Sequence, residues 1–315
     1  MSHENLQNSY MRVTPIILAG GSGSRLAPLS TQTHPKQFIK LKDSSTLFEK
    51  TCDRFIEYPH LFRQSILVTN ILHSGFINPH HHVTKTMLLE PLAKNTFYAC
   101  ALGCLAALED NPDGWVCITP SDHLIMDHLS FALDIQKLQR ELAPNEIGIF
   151  GKAATQINTK LGYMIGDMNR NGVGYVQKFI EKPTRQQAEK IHKKKNIFWN
   201  TGIILTRTKT LWDLIQMHHP EQTRQILDIW EMKSFRDKRV YVFDKKLYEG
   251  LTNKSLDTQI WEKVPTSLKI CSADFDWQDL GDKDSILPYL SDAQVKILTD
   301  RTPSPNTVIG NSATL

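Results

Sequence analysis

Gly20-Gly21-Ser22-Gly23-Ser24-Arg25 directly follows the apolar run Val13–Ala19. Glycines after a buried strand let backbone N–H groups approach phosphate oxygens, and a following helix start adds a favourable dipole. The composition suits a phosphate-binding turn, yet it fits neither standard glycine pattern. Leu26 stands where a dinucleotide loop has its third glycine, and no lysine follows as in a P-loop. Taken alone, a tight turn beside a surface arginine explains the stretch equally well. Lys36 in "HPKQFIKL" alters that balance. It flanks the same strand end as Arg25, which suits a clamp on a polyphosphate.

Two aspartates extend the pattern. "TPSDH" puts Asp122 at the tip of a buried strand, where an acid is costly unless it binds something. In "WQDLGD", Asp279 follows an apolar strand and precedes a glycine turn. Two such carboxylates suit a phosphate-bridging magnesium, which takes few protein ligands and keeps several waters. An Asx-turn or cap role is the simpler alternative for Asp122. "FIEKP" offers Lys182 for a monophosphate and Glu181 for sugar hydroxyls, or the two as an exposed ion pair. The adjacent His80, His81 and His82 point apart and read as a polar loop. Cys100 and Cys104 share a helix face and read as core.

These residues need elements to position them. "VTPIILA", "SILVTN", "KTMLLEP", "GWVCITPSDH" and "IGIFG" read as strands, alternating with helical patterns in "TLFEKTCDRFI", "NTFYACALGCLAALED" (N-capped by Asn95) and "LSFALDIQKLQREL". That alternation predicts an α/β fold with a doubly wound, mostly parallel sheet, whose ligands sit beyond the carboxyl ends of the strands. The polar clusters after the first, third and fourth strands fall there. The second half is mixed: strands at "GYVQKFIEKP", "WNTGIILTR" and "LKICSADFDWQDLG", and helices around "TRQQAEKIHKKK", "SLDTQIWEKV" and "TKTLWDLIQMHHPEQTRQILDIW", the last interrupted at Pro220. Residues 1–290 form the expected main domain. Residues 291–315 read as a linker or the start of a small extension.

The 315-residue chain, 40% hydrophobic and 22% charged, has ordinary globular composition and a net charge of +4. That balance is compatible with anionic small substrates. No basic block indicates nucleic acid, no apolar run reaches membrane-span length, and the polar N-terminus carries no secretory signal. The five cysteines lack C-x-x-C spacing, and Cys52, Cys100, Cys104 and Cys117, in apolar patterns, read as buried thiols of a reducing compartment. A soluble cytoplasmic protein is expected.

In order along the chain, "ILAGGSGSRLAPLS", "PKQF", "EPLAKNT", "PSDH", "LGYMIG", "FIEKP", "WNTGI", "SLDTQIWEK" and "WQDLGD" resemble the sugar-1-phosphate nucleotidyltransferases, most closely the mannose-1-phosphate guanylyltransferases. The resemblance runs from about Val13 to Leu290. It implies a Rossmann-like fold of the nucleotide-diphospho-sugar transferase type. By it, Gly20, Gly21, Ser22, Gly23, Glu90 and Asn95 bind the nucleotide, with Glu90 and Asn95 on the purine side. Arg25, Lys36 and Asp122 are catalytic, Asp122 and Asp279 hold Mg2+, and Gly162, Glu181, Lys182 and Asn200 form the sugar-phosphate pocket. The implied partners are GTP and a hexose 1-phosphate, with mannose 1-phosphate expected, in a homodimer.

Three positions depart from the family pattern: Ala27 replaces a tryptophan, Phe97-Tyr98-Ala99 follow "NT", and Lys283 stands where an aromatic closes the last motif. Longer relatives add a left-handed β-helix or a cupin domain with isomerase activity. "NTVIGNSATL" could begin an appendage, but no metal-binding cupin pattern occurs, so no isomerase activity is expected. Two other readings stay open: a nucleotide-sugar-binding paralogue without turnover, and a glycosyltransferase of the same fold.

Overall fold

The computed structural model describes residues 11–21, 23–77, 84–261 and 267–299. Ser22, the histidines at 80–82 and the expected appendage after Thr299 lie outside these residues. One eleven-stranded sheet organises the chain, in the order β5-β11-β7-β6-β8-β4-β1-β2-β3-β10-β9. The strands are β1 (Val13–Ala19), β2 (Ser65–Asn70), β3 (Thr84–Glu90), β4 (Trp115–Pro120), β5 (Ile147–Ala153), β6 (Tyr163–Met168), β7 (Val173–Ile180), β8 (Ile197–Arg207), β9 (Ser234–Asp237), β10 (Val240–Val242) and β11 (Leu268–Ser272). The helices are α1 (Leu47–Ile56), α2 (Thr96–Asp110), α3 (His128–Glu141), α4 (Arg185–His192), α5 (Thr208–His218), α6 (Pro220–Glu231), α7 (Lys245–Glu249), α8 (Lys283–Ile286) and α9 (Asp292–Thr299).

The expected mostly parallel sheet holds for only part of the structure. β4-β1-β2-β3-β10 pair in parallel, as does β5 with β11. β8 runs antiparallel to β4, β5 and β6, and β7 antiparallel to β6 and β11. Chain length between strands explains the split. β1 to β4 are separated by segments long enough to cross back over the sheet, whereas only a short turn joins β6 to β7, and such a turn can only reverse direction. Both faces are covered. On β1, Ile16 enters the core beneath α2, α5 and α6, while Val13, Ile17 and Ala19 enter the one beneath α1 and α3.

Asn95 caps α2 by accepting the Thr96 N–H, and Pro220 starts α6, dividing the long helical stretch in two. All five cysteines are free and buried. A third, smaller apolar cluster joins Leu26, Ile39, Leu41 and Leu47 to Leu280, Ile286, Leu290 and Leu298. α9 thus packs onto the same body as β1, and the packing runs on through the first part of the segment after residue 290.

Candidate active site

Registers Leu18↔Pro120, Ala19↔Thr69 and Asn70↔Glu90 align the carboxyl ends of β1, β4, β2 and β3. Gly20, Asp122 and Glu90 therefore emerge side by side, and they line one cavity of about 350 Å3 with Asn95 and Asn253. The glycine turn bends into a short 3-10 turn, Ser24–Leu26, whose Leu26 is 0% exposed in the third apolar cluster. A dinucleotide loop would have a glycine at this position. Here a core anchor is needed instead. Gly23 has φ +58°, and a methyl group added there would lie 2.4 Å from Lys36 Cβ. The Gln37 carboxamide closes the turn by donating to the Ala19 and Gly21 carbonyls at 2.9 and 3.0 Å. Arg25 stays exposed at the turn's outer end.

Lys36 is only 3% exposed, and its ammonium donates to Asp122 Oδ2 at 3.2 Å, lies 3.6 Å from Asp279 Oδ1 and donates to the Asp279 carbonyl. A two-way backbone bridge between Leu124 and Gln278, at 2.9 and 3.0 Å, brings the two aspartates together from distant parts of the chain. Gly281 leaves them room, since a methyl there would lie 2.5 Å from Asp279 Oδ2. Burial alone would raise both carboxyls. At Asp122 the Lys36 charge, the His123 charge and the Lys36 hydrogen bond together outweigh it. At Asp279 a His123 hydrogen bond and the charges of Lys36 and Arg25 do so, and both residues sit below the ordinary carboxylate range.

His123 has a defined orientation. The Trp277 indole N–H, which can only donate, reaches His123 Nδ1 at 3.1 Å. The ring proton therefore sits on Nε2, which faces Asp279 Oδ1 at 3.4 Å and Asp122 Oδ1 at 3.7 Å. Ligand atoms of Asp122, His123 and Asp279 lie within 4.8 Å of one another. In this arrangement His123 offers a donor, which leaves the two carboxylates as the cation-binding atoms. Hard oxygen donors fit a magnesium-like ion, and the Lys36 ammonium already shows that the pair accepts a cation.

Glu90 is 4% exposed, and burial pushes its carboxyl up to about 8. Tyr248 donates to its Oε1 at 3.4 Å. Gly20 lets the chain pass close to this carboxyl, and a methyl there would lie 3.1 Å from Glu90 Oε2.

The remaining sequence-assigned residues form a second group. The Asn200 N–H donates to the Gly162 carbonyl at 2.8 Å, and a methyl on Gly162 would lie 2.5 Å from Glu181 Oε2 and 3.3 Å from Asn200 Cβ. Lys182, 57% exposed with φ +42°, pairs with Glu181 rather than with the aspartate cluster. Asp257 belongs to this group and was not singled out in the sequence. It accepts Asn200 Nδ2–H at 2.8 Å. The "SLDTQIWEK" motif contains it, but an aspartate opening a short helical segment reads as a cap.

A family model of nucleotidyl transferases matches residues 14–295. The alginate biosynthesis protein AlgA of Pseudomonas syringae pv. tomato is 30% identical over 276 residues, covering 85% of this chain and 56% of AlgA. The mannose-1-phosphate guanylyltransferase 2 of Escherichia coli O157:H7 is 27% identical over 291 residues, covering 87% of this chain and 59% of that protein. The chain thus spans little more than half the length of these relatives. The crystal structure of the mannose-1-phosphate geranyltransferase from Thermus thermophilus superposes with a TM-score of 0.75 at 24% identity, over 86% of this chain and 77% of that one. No helix among the described residues is long and apolar enough to cross a membrane.

Proposed function

The chain belongs to the nucleotidyl transferase family, and from that premise we propose that it joins GTP and mannose 1-phosphate into GDP-mannose, releasing pyrophosphate. The observation that carries this reading is the Lys36 ammonium held between Asp122 and Asp279 at the edge of the glycine turn. The sugar phosphate oxygen attacks the α-phosphorus in line. A new P–O bond forms, the α–β bridging P–O bond breaks, and pyrophosphate leaves with that electron pair. The nucleophile is already anionic, so positioning and charge neutralisation suffice and no general base is required.

The turn at Gly20, Gly21 and Gly23 offers backbone N–H groups to the triphosphate. Arg25 supplies fixed positive charge at its open end for the departing pyrophosphate, and Lys36 supplies it from within. Glu90 and Asn95 line the base side of the cavity. Gly162, Glu181, Lys182 and Asn200 take the sugar phosphate, with Lys182 orienting the attacking group. Asp122 and Asp279 would hold Mg2+, which when bound adds charge neutralisation at phosphate oxygens. A cytoplasmic homodimer built from this one catalytic unit completes the reading; its mass in solution follows from light scattering.

The decisive measurement is pyrophosphate release with each of the four common NTPs against several hexose 1-phosphates. Magnesium-dependent release, highest with GTP and mannose 1-phosphate, is expected. Binding of GTP or GDP-mannose without release would leave a binding protein and overturn the enzymatic reading. Higher release with another pair would move the specificity.

A further inference from the structure

Asp257 opens the short π-helical segment Asp257–Trp261. Leu256, Ile260 and Trp261 are buried around it, and the Leu256 N–H donates to Thr96 Oγ1 at 3.0 Å, tying the segment to the start of α2. The Asp257 carboxyl faces Asn200, whose carboxamide is engaged at both ends. Nδ2–H donates to Asp257 Oδ1 at 2.8 Å, while Oδ1 accepts the Gly202 N–H at 2.9 Å. The amide therefore has one orientation, with its nitrogen towards Asp257, and its second N–H is left for another partner.

Glu181 also lies near Asn200. Its Oε2 and Asn200 Cβ both bound the space beside Gly162 where a methyl group would not fit. Burial and then the Glu181 charge push the Asp257 carboxyl up to about 6, so the two acids sense each other. A half-buried Asp257 carboxyl beside a second acid is unfavourable on its own, and the group it is seen to hold is the Asn200 carboxamide.

Resting on the nucleotidyltransferase reading, we propose that Asp257 is a positioning residue of the sugar pocket, fixing the Asn200 carboxamide so that one N–H faces the hexose near Glu181. Acceptor and donor side by side match one hydroxyl of a pyranose, which donates to Glu181 and accepts from Asn200, whose carboxamide Asp257 holds in place. The ligand class is thus a hexose 1-phosphate with that hydroxyl free.

The test compares Asp257→Ala and Asp257→Asn with wild type. Losing a hydrogen bond to a charged group predicts a rise of about 10- to 100-fold in KM for mannose 1-phosphate, with KM for GTP within about twofold. Asp257→Asn keeps an acceptor for Asn200 and should recover most of the loss. A deoxy-sugar 1-phosphate lacking the hydroxyl in question should be a poor substrate for wild type and no poorer for Asp257→Ala. Should Asp257→Ala not fold, Asp257→Ser, too short to hold the Asn200 carboxamide, carries the same prediction.

An unchanged sugar KM, or equal rises for both substrates, would overturn the proposal. If wild type releases no pyrophosphate at all, the functional reading fails, and calorimetric titration with mannose 1-phosphate then decides this inference. Binding by wild type that weakens in Asp257→Ala upholds it, and its absence from wild type ends it.

Discussion

Replacing Glu90 by glutamine tests how the base side of the cavity is built. Glu90 is almost fully buried, its one side-chain hydrogen bond is a long one from Tyr248, and its carboxyl sits at about 8 against an ordinary 4.5. The folded state therefore keeps a proton that the unfolded chain gives up, so stability is greatest below pH 4.5 and is lost as pH rises towards 8. At about 1.4 kcal/mol per pH unit, the cost of ionising this site is roughly 1 kcal/mol at pH 5 and roughly 4 kcal/mol at pH 8, as an upper bound. Glutamine is nearly isosteric, keeps an acceptor for Tyr248 and has nothing to ionise. Urea unfolding of both proteins across this range should show Glu90→Gln gaining on wild type as pH rises, with the gap widening by up to about 3 kcal/mol between pH 5 and pH 8. A gap independent of pH would refute the reasoning, because Glu90 would then be an ordinary surface-like acid.

GTP binding supplies a companion measurement. If the guanine N–H groups require ionised Glu90, calorimetry near pH 7 in buffers of different ionisation enthalpy should detect close to one proton released per nucleotide; no release would remove Glu90 as the base reader. Arg25→Ala should lower turnover on the order of a hundredfold, by analogy with a lost transition-state donor, while leaving the unfolding midpoint nearly unchanged. Near-normal turnover would mean that the exposed arginine does not meet the pyrophosphate. Gly23→Ala should cost roughly 1–3 kcal/mol of stability and most of the turnover, since the new methyl collides with Lys36 in a left-handed backbone; full activity in that variant would break the link. Trp277→Phe removes the donor that fixes the His123 ring, and Mn2+ affinity read by electron paramagnetic resonance should weaken about 10-fold. Unaltered affinity would show that the ring orientation does not matter to the aspartates.

Asp122 was legible because an acid at the tip of a buried strand is costly without a ligand, and Asp279 because it repeats that theme before a glycine turn. Arg25 and Lys36 stood out as two positive charges flanking one strand end. Lys36 was legible as a charge near phosphates, but its burial between two carboxylates was not, since that depends on the bridge from Leu124 to Gln278. No periodicity encodes a contact between segments so far apart. Pairing direction was hidden for a similar reason: alternation marks Val173–Ile180 as a strand, while only the short turn before it makes β7 antiparallel to β6. β9 and β10 are too short to show a pattern, and β9 is exposed throughout. Asp257 escaped notice because its partner, Asn200, lies 57 residues away.

Lys36 and the Asp279 carbonyl are 243 residues apart, and the third apolar cluster fastens the two ends of that span together. At elongation rates of about 5–20 residues per second, roughly ten to fifty seconds of synthesis separate Lys36 from Asp279, the later of its two counter-charges. During the later part of that interval the nascent chain holds Lys36 against Asp122 alone, and the site closes only after Asp279 and α9 have emerged. The order of synthesis thereby withholds the Lys36–Asp122–Asp279 cluster from N-terminal fragments, however well their parallel strands have already paired.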